Sequence, residues 1–190
     1  MKKEDTMKSI VVKEMMIPLE EYATVSAEAD LFEAVRALEE AREKFCQNNY
    51  RHRAVLVYGA DRRIVGKLSQ LDVIRGLEPK YKGLDELKEL TRFGVHPEQV
   101  HQMIKDYGLW KNPLDDLCKS AASFKVKDIM VTPTQKERIA ETASLQEAVH
   151  QLIMGCHQSL LVTRDSEIVG ILRLTDVFSK ICDLMKACRL

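Results

Sequence analysis

The chain has 190 residues, of which 45% are hydrophobic and 31% are charged, a composition typical of a folded globular protein. Lysine plus arginine (29) balances aspartate plus glutamate (29), which argues against a non-specific binder of nucleic acid or anionic lipid. No apolar run reaches the roughly 18 residues that a membrane-spanning helix needs, and the N-terminal residues do not read as a signal peptide.

The first part of the chain predicts a helix, a β-hairpin and a closing helix. Apolar residues with helical spacing begin at Leu31 and continue to Phe45. Two short apolar runs follow, Ala54–Tyr58 and Ile64–Leu68, and the polar turn Gly59–Arg63 lies between them. Two apolar runs joined by a polar turn are the pattern of a hairpin.

Residues 79–122 predict a helical insert. Three leucines between residues 84 and 90 have helical spacing, and Pro97 takes the first position of a second helix. Asn112 and Pro113 provide a capping residue and a proline for a third helix. The segment is too apolar for a free linker, so we expect it to be ordered and to offer a variable surface to a partner.

The last part of the chain repeats the first. Four blocks recur in the same order: Val12–Ile17 as Val126–Val131, Leu31–Val35 as Leu145–Val149, Ile64–Gly66 as Ile168–Gly170, and Asp72-Val73 as Asp176-Val177. The spacing between the copies shortens after the first helix, so the first copy carries extra residues around Ala41 to Tyr50. An internal repeat of this kind organises the whole fold.

The sequence therefore predicts three regions: a first repeat over 10–78, a helical insert over 79–122 and a second repeat over 123–190. Each repeat contains a short strand, a helix, two strands and a helix. A sheet this small cannot cover its own apolar face, so the two copies should pack sheet to sheet. The predicted class is α+β, with two β-α-β-β-α repeats and a helical insert between them.

Two motifs occur in both copies. The first is a methionine-rich segment before a proline, Met15–Pro18 and Ile129–Pro133. The second runs glycine, two apolar residues, serine or threonine, two further residues and aspartate. It stands as Gly66–Asp72, with Lys67 in place of one apolar residue, and as Gly170–Asp176, with Arg173 in place of the serine or threonine. With these motifs, the tandem repeat resembles a pair of cystathionine-β-synthase-type (CBS) domains, an arrangement called a Bateman module.

The resemblance implies a regulatory module without catalytic activity that binds AMP, ADP, ATP or S-adenosylmethionine in clefts between the copies. In that family the motif aspartate accepts hydrogen bonds from both ribose hydroxyls, which implies this role for Asp72 and Asp176. A carboxylate can accept from two neighbouring hydroxyls. Ser69 would contact ribose or phosphate. The resemblance implies no metal ion and no further cofactor.

Basic residues ahead of the second strand of such a domain often hold phosphate. In the first copy this implies a phosphate contact for His52 and Arg53. In the second copy His157 keeps the histidine, but Gln158 stands in place of the arginine. Arginine offers a planar fork of donors that suits phosphate oxygens.

The segment that leads into each copy usually cradles adenine and faces the aspartate of the other copy. The resemblance then assigns five residues: Ile17, Pro18 and Ala23 to the Asp176 cleft, and Thr132 and Ile139 to the Asp72 cleft. Arg173 stands where the family usually has serine or threonine, and it could contact phosphate or fill the pocket. Thr175 is the candidate for the missing hydroxyl. We therefore expect the two clefts to differ in ligand preference, or one of them to stay empty.

Structural interpretations of the same residues are equally open. Ser69-x-x-Asp72 is also the pattern of a helix capping box, and Thr175-Asp176 could cap a helix in a similar way. His52 and Arg53 could be solvated residues at a strand end. Binding and capping make different predictions, because only binding residues change ligand affinity when they are replaced.

Other functions also remain open. The main alternative is a ligand-free module that dimerises and docks a protein partner, since the family usually forms homodimers through its helices. The five cysteines contain no C-x-x-C pair, which favours idle thiols in a reducing cytoplasm and leaves redox sensing as a third possibility. The sequence contains neither G-x-S-x-G nor H-E-x-x-H, so we expect no enzymatic activity.

Overall fold

The computed structural model describes residues 6–44, 54–78, 80–81, 96–109 and 114–187. Its first part contains α1 (Thr6–Ser9), β1 (Ile17–Pro18), β2 (Thr24–Ser26), α2 (Leu31–Lys44), β3 (Ala54–Tyr58), β4 (Ile64–Ser69) and α3 (Gln70–Leu77). The region between the repeats contains α4 (Pro97–Tyr107) and α5 (Leu114–Ser123). The last part contains α6 (Val126–Ile129), β5 (Arg138–Ala140), α7 (Leu145–Gly155), β6 (Ser159–Arg164), β7 (Glu167–Arg173) and α8 (Leu174–Ala187).

Both copies have the predicted order of elements. β3 and β4 form an antiparallel hairpin, and so do β6 and β7. β2 runs parallel to β3, and β5 runs parallel to β6, because the helices α2 and α7 carry the chain back across the sheet. The predicted α+β class with two repeats is thus confirmed.

Helix α4 begins where the proline pattern places it. Pro97 takes the first helical position, where its missing N–H costs no hydrogen bond, and His96 is the N-cap. The helix ends at Gly108, whose φ of 59° is a left-handed conformation that glycine adopts without strain. The helix predicted from the leucines at 84–90 and the caps Asn112 and Pro113 lie outside the described residues.

The segments that lead into the two copies are exchanged. We call residues 10–18 and 126–133 the leading segments. β1 of the first segment pairs with β7 of the second copy, with Ile17 opposite Ile171 and Pro18 opposite Gly170. In the reciprocal arrangement, Lys67 of β4 and Val131 of the second segment exchange two backbone hydrogen bonds of 2.9 Å. Each leading segment therefore extends the sheet of the other copy.

The apolar side chains of the leading segments complete the opposite cores. Val12 is fully buried among residues of the second copy, and its N–H donates to Ala143 O at 2.8 Å. Val126 is fully buried in the core of the first copy, and its N–H donates to Ala29 O at 2.9 Å. Burial of a valine side chain stabilises a fold by about 1.5–3 kcal/mol, so neither core is complete without the other copy's segment.

The two sheets meet in a third apolar cluster. Tyr22 and Leu56 from the first copy pack there against Leu161 and Ile171 from the second. This contact confirms the predicted packing of sheet on sheet. The division into 10–78, 79–122 and 123–190 stays a prediction, because Ala121 of α5 packs into the core of the first copy.

Exchange of the leading segments depends on the motif glycine of the second copy. A Cβ atom at Gly170 would lie 2.5 Å from the backbone carbonyl oxygen of Ile17, which cannot move without disturbing the β1–β7 pairing. At the equivalent Gly66 a Cβ atom would instead collide with the end of the flexible Met130 side chain. A side chain at Gly170 would therefore destabilise the fold more than a side chain at Gly66.

We predict that Gly170→Ala lowers the free energy of unfolding by roughly 1–3 kcal/mol, the usual cost of overpacking. Gly66→Ala is the matched control and should cost less, since Met130 can change rotamer. Urea denaturation of both variants checks this. Equal losses, or a larger loss for Gly66→Ala, would contradict the dependence on the Ile17 backbone.

Candidate functional site

Ser69 and Asp72 form a helix cap at the junction of β4 and α3. The Ser69 N–H donates to Asp72 Oδ2 at 2.8 Å, and the Ser69 hydroxyl donates to the same oxygen at 2.6 Å. In return the Asp72 N–H donates to Ser69 Oγ at 3.2 Å. These contacts are the two halves of a capping box, so the structural interpretation of this motif is realised.

Capping leaves part of the Asp72 carboxylate available. The capping bonds converge on Oδ2, while Oδ1 lies 4.0 Å from Nη1 of Arg75, beyond hydrogen-bonding distance. An ionised carboxylate has about four acceptor positions. A ribose hydroxyl could therefore bind at Oδ1 without breaking the cap, and the two interpretations of Asp72 are compatible.

An ion pair joins the two copies beside the second leading segment, between Lys67 of the first copy and Glu137 of the second. Lys67, three residues after the start of β4, pairs with Val131 through its backbone, and its Nζ lies 3.1 Å from Glu137 Oε1. The side chains of Lys67 and Glu137 are only 18% and 14% exposed. Thr132 follows Val131 in the second leading segment, and its side chain is exposed.

The pKa of Glu137 lies below its ordinary value. Burial alone would raise this pKa, but the Thr134 N–H donates to Glu137 Oε2 at 3.1 Å, and the charge and hydrogen bond of Lys67 add to that effect. His157 lowers the pKa of Glu137 further through its charge. Glu137 is therefore held in its ionised form at the contact between the two copies.

Ile139 and Ala23 lie in the cores. Ile139 is 5% exposed and packs in the core of the second copy, and its assignment to the Asp72 cleft stays a prediction. Strand alternation turns its neighbour Arg138 to the other face, where the Arg138 Nε is buried without a hydrogen-bond partner among the described residues. Ala23 packs against the core of the first copy, and it also lines a cavity of about 360 Å³ beside α2.

The Asp176 carboxylate is occupied by Arg173. Arg173 Nε donates to Asp176 Oδ2 at 2.8 Å, and Arg173 Nη2 donates to Oδ1 at 2.5 Å. The Arg173 N–H adds a third bond to Oδ2 at 3.1 Å. The two side chains are only 11% and 12% exposed. Thr175, the predicted source of a hydroxyl, directly precedes Asp176 in α8 and is exposed.

Tyr22 is the residue of this region that the sequence did not single out. Its ring is 6% exposed at the contact between the sheets, and its hydroxyl donates to Ala54 O at 3.1 Å. Burial raises the pKa of Tyr22 to about 12, with Arg173 lowering and Asp176 raising it. The exchanged leading segment also brings Ile17 and Pro18 to β7, whose last residue is Arg173.

His157 is the histidine predicted for a phosphate contact in the second copy. His157 follows α7, is half-buried, and its Nε2 is buried without a partner among the described residues. His52 and Arg53 lie outside the described residues. A second cavity, of about 260 Å³, lies between the hairpin turns and is lined by Arg63, Arg138 and Glu167 among others, away from Asp72 and Asp176.

In the described part of the chain, no group of three or more histidine, cysteine, aspartate or glutamate side chains is arranged to hold a metal ion. Among the helices that the structure describes, none combines the length and apolarity that crossing a bilayer requires. Cys118 and Cys156 are exposed free thiols, and Cys182 is a half-buried one.

Comparison with known proteins identifies the repeat. The family model for the CBS domain matches residues 12–79 and 126–183, which together make up most of the chain. The comparison with curated proteins gives no match.

Solved structures share the fold at low sequence identity. The CBS domain of a bacterial CNNM/CorC family Mg²⁺ transporter in complex with ATP is similar with a TM-score of 0.60 and 16% identity, over 93% of this chain and 89% of that one. CBSX2 in complex with AMP has a TM-score of 0.53 and 17% identity, over 93% and 99%. A CBS domain-containing protein of unknown function from Bacillus anthracis str. Ames Ancestor has a TM-score of 0.60 and 16% identity, over 95% of this chain and 99% of that one. At these identities the similarity shows the fold alone.

The pair of Lys67 and Glu137 generates a prediction about pH. Because the folded state lowers the pKa of Glu137, the pair stabilises the fold above the ordinary pKa of 4.5, and this stability is lost as the pH falls through the lowered value. We expect Glu137→Gln to reduce the free energy of unfolding by about 2 kcal/mol near neutral pH and by almost nothing in acid. Urea denaturation at several pH values measures the difference.

Glu167→Gln is the matched control for this experiment. Glu167, like Glu137, pairs with a cation of the other copy: its Oε1 lies 3.2 Å from Arg63 Nη2. The side chains of Glu167 and Arg63 are, however, 60% and 68% exposed. An exposed pair contributes less than about 1 kcal/mol, so this variant should change stability little. A loss in Glu137→Gln that is the same at all pH values would show that the ion pair is not its cause.

Proposed function

Because the chain belongs to the CBS-domain family, we propose that it is a non-catalytic regulatory module that binds an adenosine-containing ligand between its two copies. The ligand classes are AMP, ADP, ATP and S-adenosylmethionine. The observation that carries the proposal is the hydrogen bonding of Asp72, whose Oδ1 is left outside the capping bonds, at the end of the strand that pairs with the second copy's leading segment. Two proteins of the same fold are described in complex with ATP and with AMP.

The proposed binding mode follows from the chemistry around Asp72. The two ribose hydroxyls donate to the carboxylate, mainly at Oδ1, and the Ser69 hydroxyl is close enough to rotate toward the sugar or a phosphate. Val131 and Thr132 supply backbone and side-chain contacts for the base. Phosphates extend toward cationic side chains, for which Lys67 is a described candidate and His52 and Arg53 are the candidates from the family resemblance.

Binding at this place would affect how the two copies pack. Lys67 belongs to the first copy and Glu137 to the second, so a phosphate that attracts Lys67 weakens the ion pair between them. A ligand shifts a conformational equilibrium only by its different affinity for the two packings. We propose that this competition is the source of that difference, and that the changed packing is recognised by a protein partner, for which α4 of the insert is the candidate surface. We place the protein in the cytoplasm, where exposed thiols such as Cys118 and Cys156 stay reduced.

The helices also support a homodimer. Ile74 of α3 and Phe178 of α8 occupy equivalent positions in the two copies, and they are 50% and 65% exposed. Leu71, next to the first, is 55% exposed. Large apolar side chains that recur on the same face of both closing helices indicate an interaction surface, and we propose that a second copy of the chain covers it.

One observation favours the alternative function. Asp72 already serves in a capping box, and Asp176 already binds Arg173, so both motif aspartates have structural roles. The chain would then be a ligand-free module that dimerises and docks a protein. This alternative predicts no saturable binding of any adenosine ligand.

We predict that calorimetric titration with AMP, ATP and S-adenosylmethionine shows saturable binding of at least one of them. Asp72→Asn should weaken that binding by at least about tenfold, because the neutral side chain loses charge-assisted hydrogen bonds to the diol. A 2′-deoxy analogue of that ligand should bind wild-type protein more weakly by a similar factor. Asp72→Asn should bind the ribose ligand and its 2′-deoxy analogue with equal affinity.

Glu147→Gln is the matched control for the capping role. Glu147 accepts from the N–H and hydroxyl of Ser144 at 2.7 and 2.8 Å, the same capping box at the start of α7. Both variants should cost about 1 kcal/mol of stability, but only Asp72→Asn should change ligand affinity. If Asp72→Asn loses stability and keeps full affinity, capping is its only role.

We predict that Ile74→Glu and Phe178→Glu each convert a dimer into monomers, as measured by sedimentation velocity. A charge buried in an apolar contact leaves an unpaired group, which opposes association. Val100→Glu on α4 is the control, since Val100 is 41% exposed on a different helix. A wild-type monomer, or dimers in both variants, would overturn the proposed contact.

A further inference from the structure

The two motif aspartates differ because of one residue. The internal repeat makes Arg173 the counterpart of Ser69, since each lies three residues before its aspartate at the end of a strand. Ser69 donates to one oxygen of Asp72, whereas Arg173 donates with its side chain to both oxygens of Asp176. The backbone is the same in both copies, and the side chain decides what each carboxylate binds.

Arg173 presents to Asp176 the same chemistry that a ribose diol would present. A diol binds a carboxylate with two neighbouring donors, and the guanidinium fork does so with Nε and Nη2 at 2.8 and 2.5 Å. The arginine is covalently attached and positively charged, so it competes with any sugar at an advantage. Both side chains are almost buried, so water does not separate them readily.

Neighbouring groups hold the ion pair in place. The Arg173 N–H binds Asp176 Oδ2 at 3.1 Å, which fixes the carboxylate relative to the end of β7. Ile171, two residues before Arg173 on β7, pairs with Ile17 and is fully buried at the contact between the two sheets. The end of β7 that carries Arg173 is therefore held by the contact between the copies.

We propose that Arg173 acts as a built-in ligand of Asp176 and closes that cleft to adenosine ligands, so that the chain binds one such ligand, at Asp72. Arg173 is then the residue that determines which of the two related clefts is open. This inference rests on the proposed function for the identity of the ligand, but the closure of the Asp176 cleft is a separate claim.

Exchange of the two equivalent residues tests the inference. Calorimetric titration with AMP and ATP measures the number of sites per chain in wild type, in Arg173→Ser, in Ser69→Arg and in the double exchange. We expect one site in wild type, two in Arg173→Ser and none in Ser69→Arg. The double exchange should again have one site, which Asp176→Asn weakens at least about tenfold and Asp72→Asn does not affect.

The outcomes separate this inference from the proposed function. If wild type has one site that depends on Asp72 and Arg173→Ser still has one, the closure by Arg173 is wrong and the proposed function stands. Two sites in wild type, one lost with each aspartate, would also overturn the closure. If wild type binds nothing and Arg173→Ser gains a site that depends on Asp176, the closure is right and the proposal for Asp72 fails. No binding in either protein overturns both.

Folding is controlled separately, because Arg173→Ser leaves Asp176 without its partner. Thermal denaturation of every variant shows whether it is folded at the titration temperature. Arg173→Gln is the second variant, since a glutamine amide still donates to Asp176 and keeps the pair satisfied while removing the charged fork. It should gain a weaker second site than Arg173→Ser. Ser69→Arg provides a loss of binding that does not depend on the folding of either Arg173 variant.

Discussion

The structure depends on the mutual exchange of the two leading segments. Each small sheet has an apolar face and a free edge, and both are covered by residues that belong in sequence to the other copy. Val12 is fully buried in the second core, and Val126 is fully buried in the first. The backbone pairings of Ile17 with Ile171 and of Lys67 with Val131 close the two edges. A fold built in this way cannot complete one half without the other, because each core lacks part of its apolar surface until both segments are in place.

The same exchange gives the two motifs related surroundings. It pairs the second leading segment with β4, which leads into the Ser69–Asp72 motif, and the first leading segment with β7, which leads into the Arg173–Asp176 motif. Backbone symmetry does not extend to the side chains, however. Ser69 donates to Oδ2 of Asp72 and leaves Oδ1 outside the cap. Arg173 donates to both carboxylate oxygens of Asp176. The repeat therefore supplies two equivalent frames, and single residues in those frames decide their chemistry.

The sequence was informative about local structure and less so about contacts between copies. The hairpins and the start of α4 at Pro97 were predicted, because turns, proline and apolar periodicity act within a few residues. The packing of sheet on sheet was predicted because a small sheet cannot cover its own apolar face. Tyr22 and the pair of Lys67 with Glu137 were missed, since the last two are separated by 70 residues and no local pattern joins them. Departure of Arg173 from the motif was visible, but its partner was not.

By itself the sequence determined the repeat, its order of elements and the CBS family, because these follow from motifs and periodicities that recur along the chain. Only the tertiary structure decided which backbone atoms of the leading segments pair with the other copy's sheet, that Asp72 Oδ1 stays outside the capping bonds, and that the Arg173 guanidinium binds Asp176. These features depend on which atoms meet within about 3 Å, the distance at which a hydrogen bond forms. Such distances are set by the packing of one copy against the other, and a linear pattern of residues does not contain them.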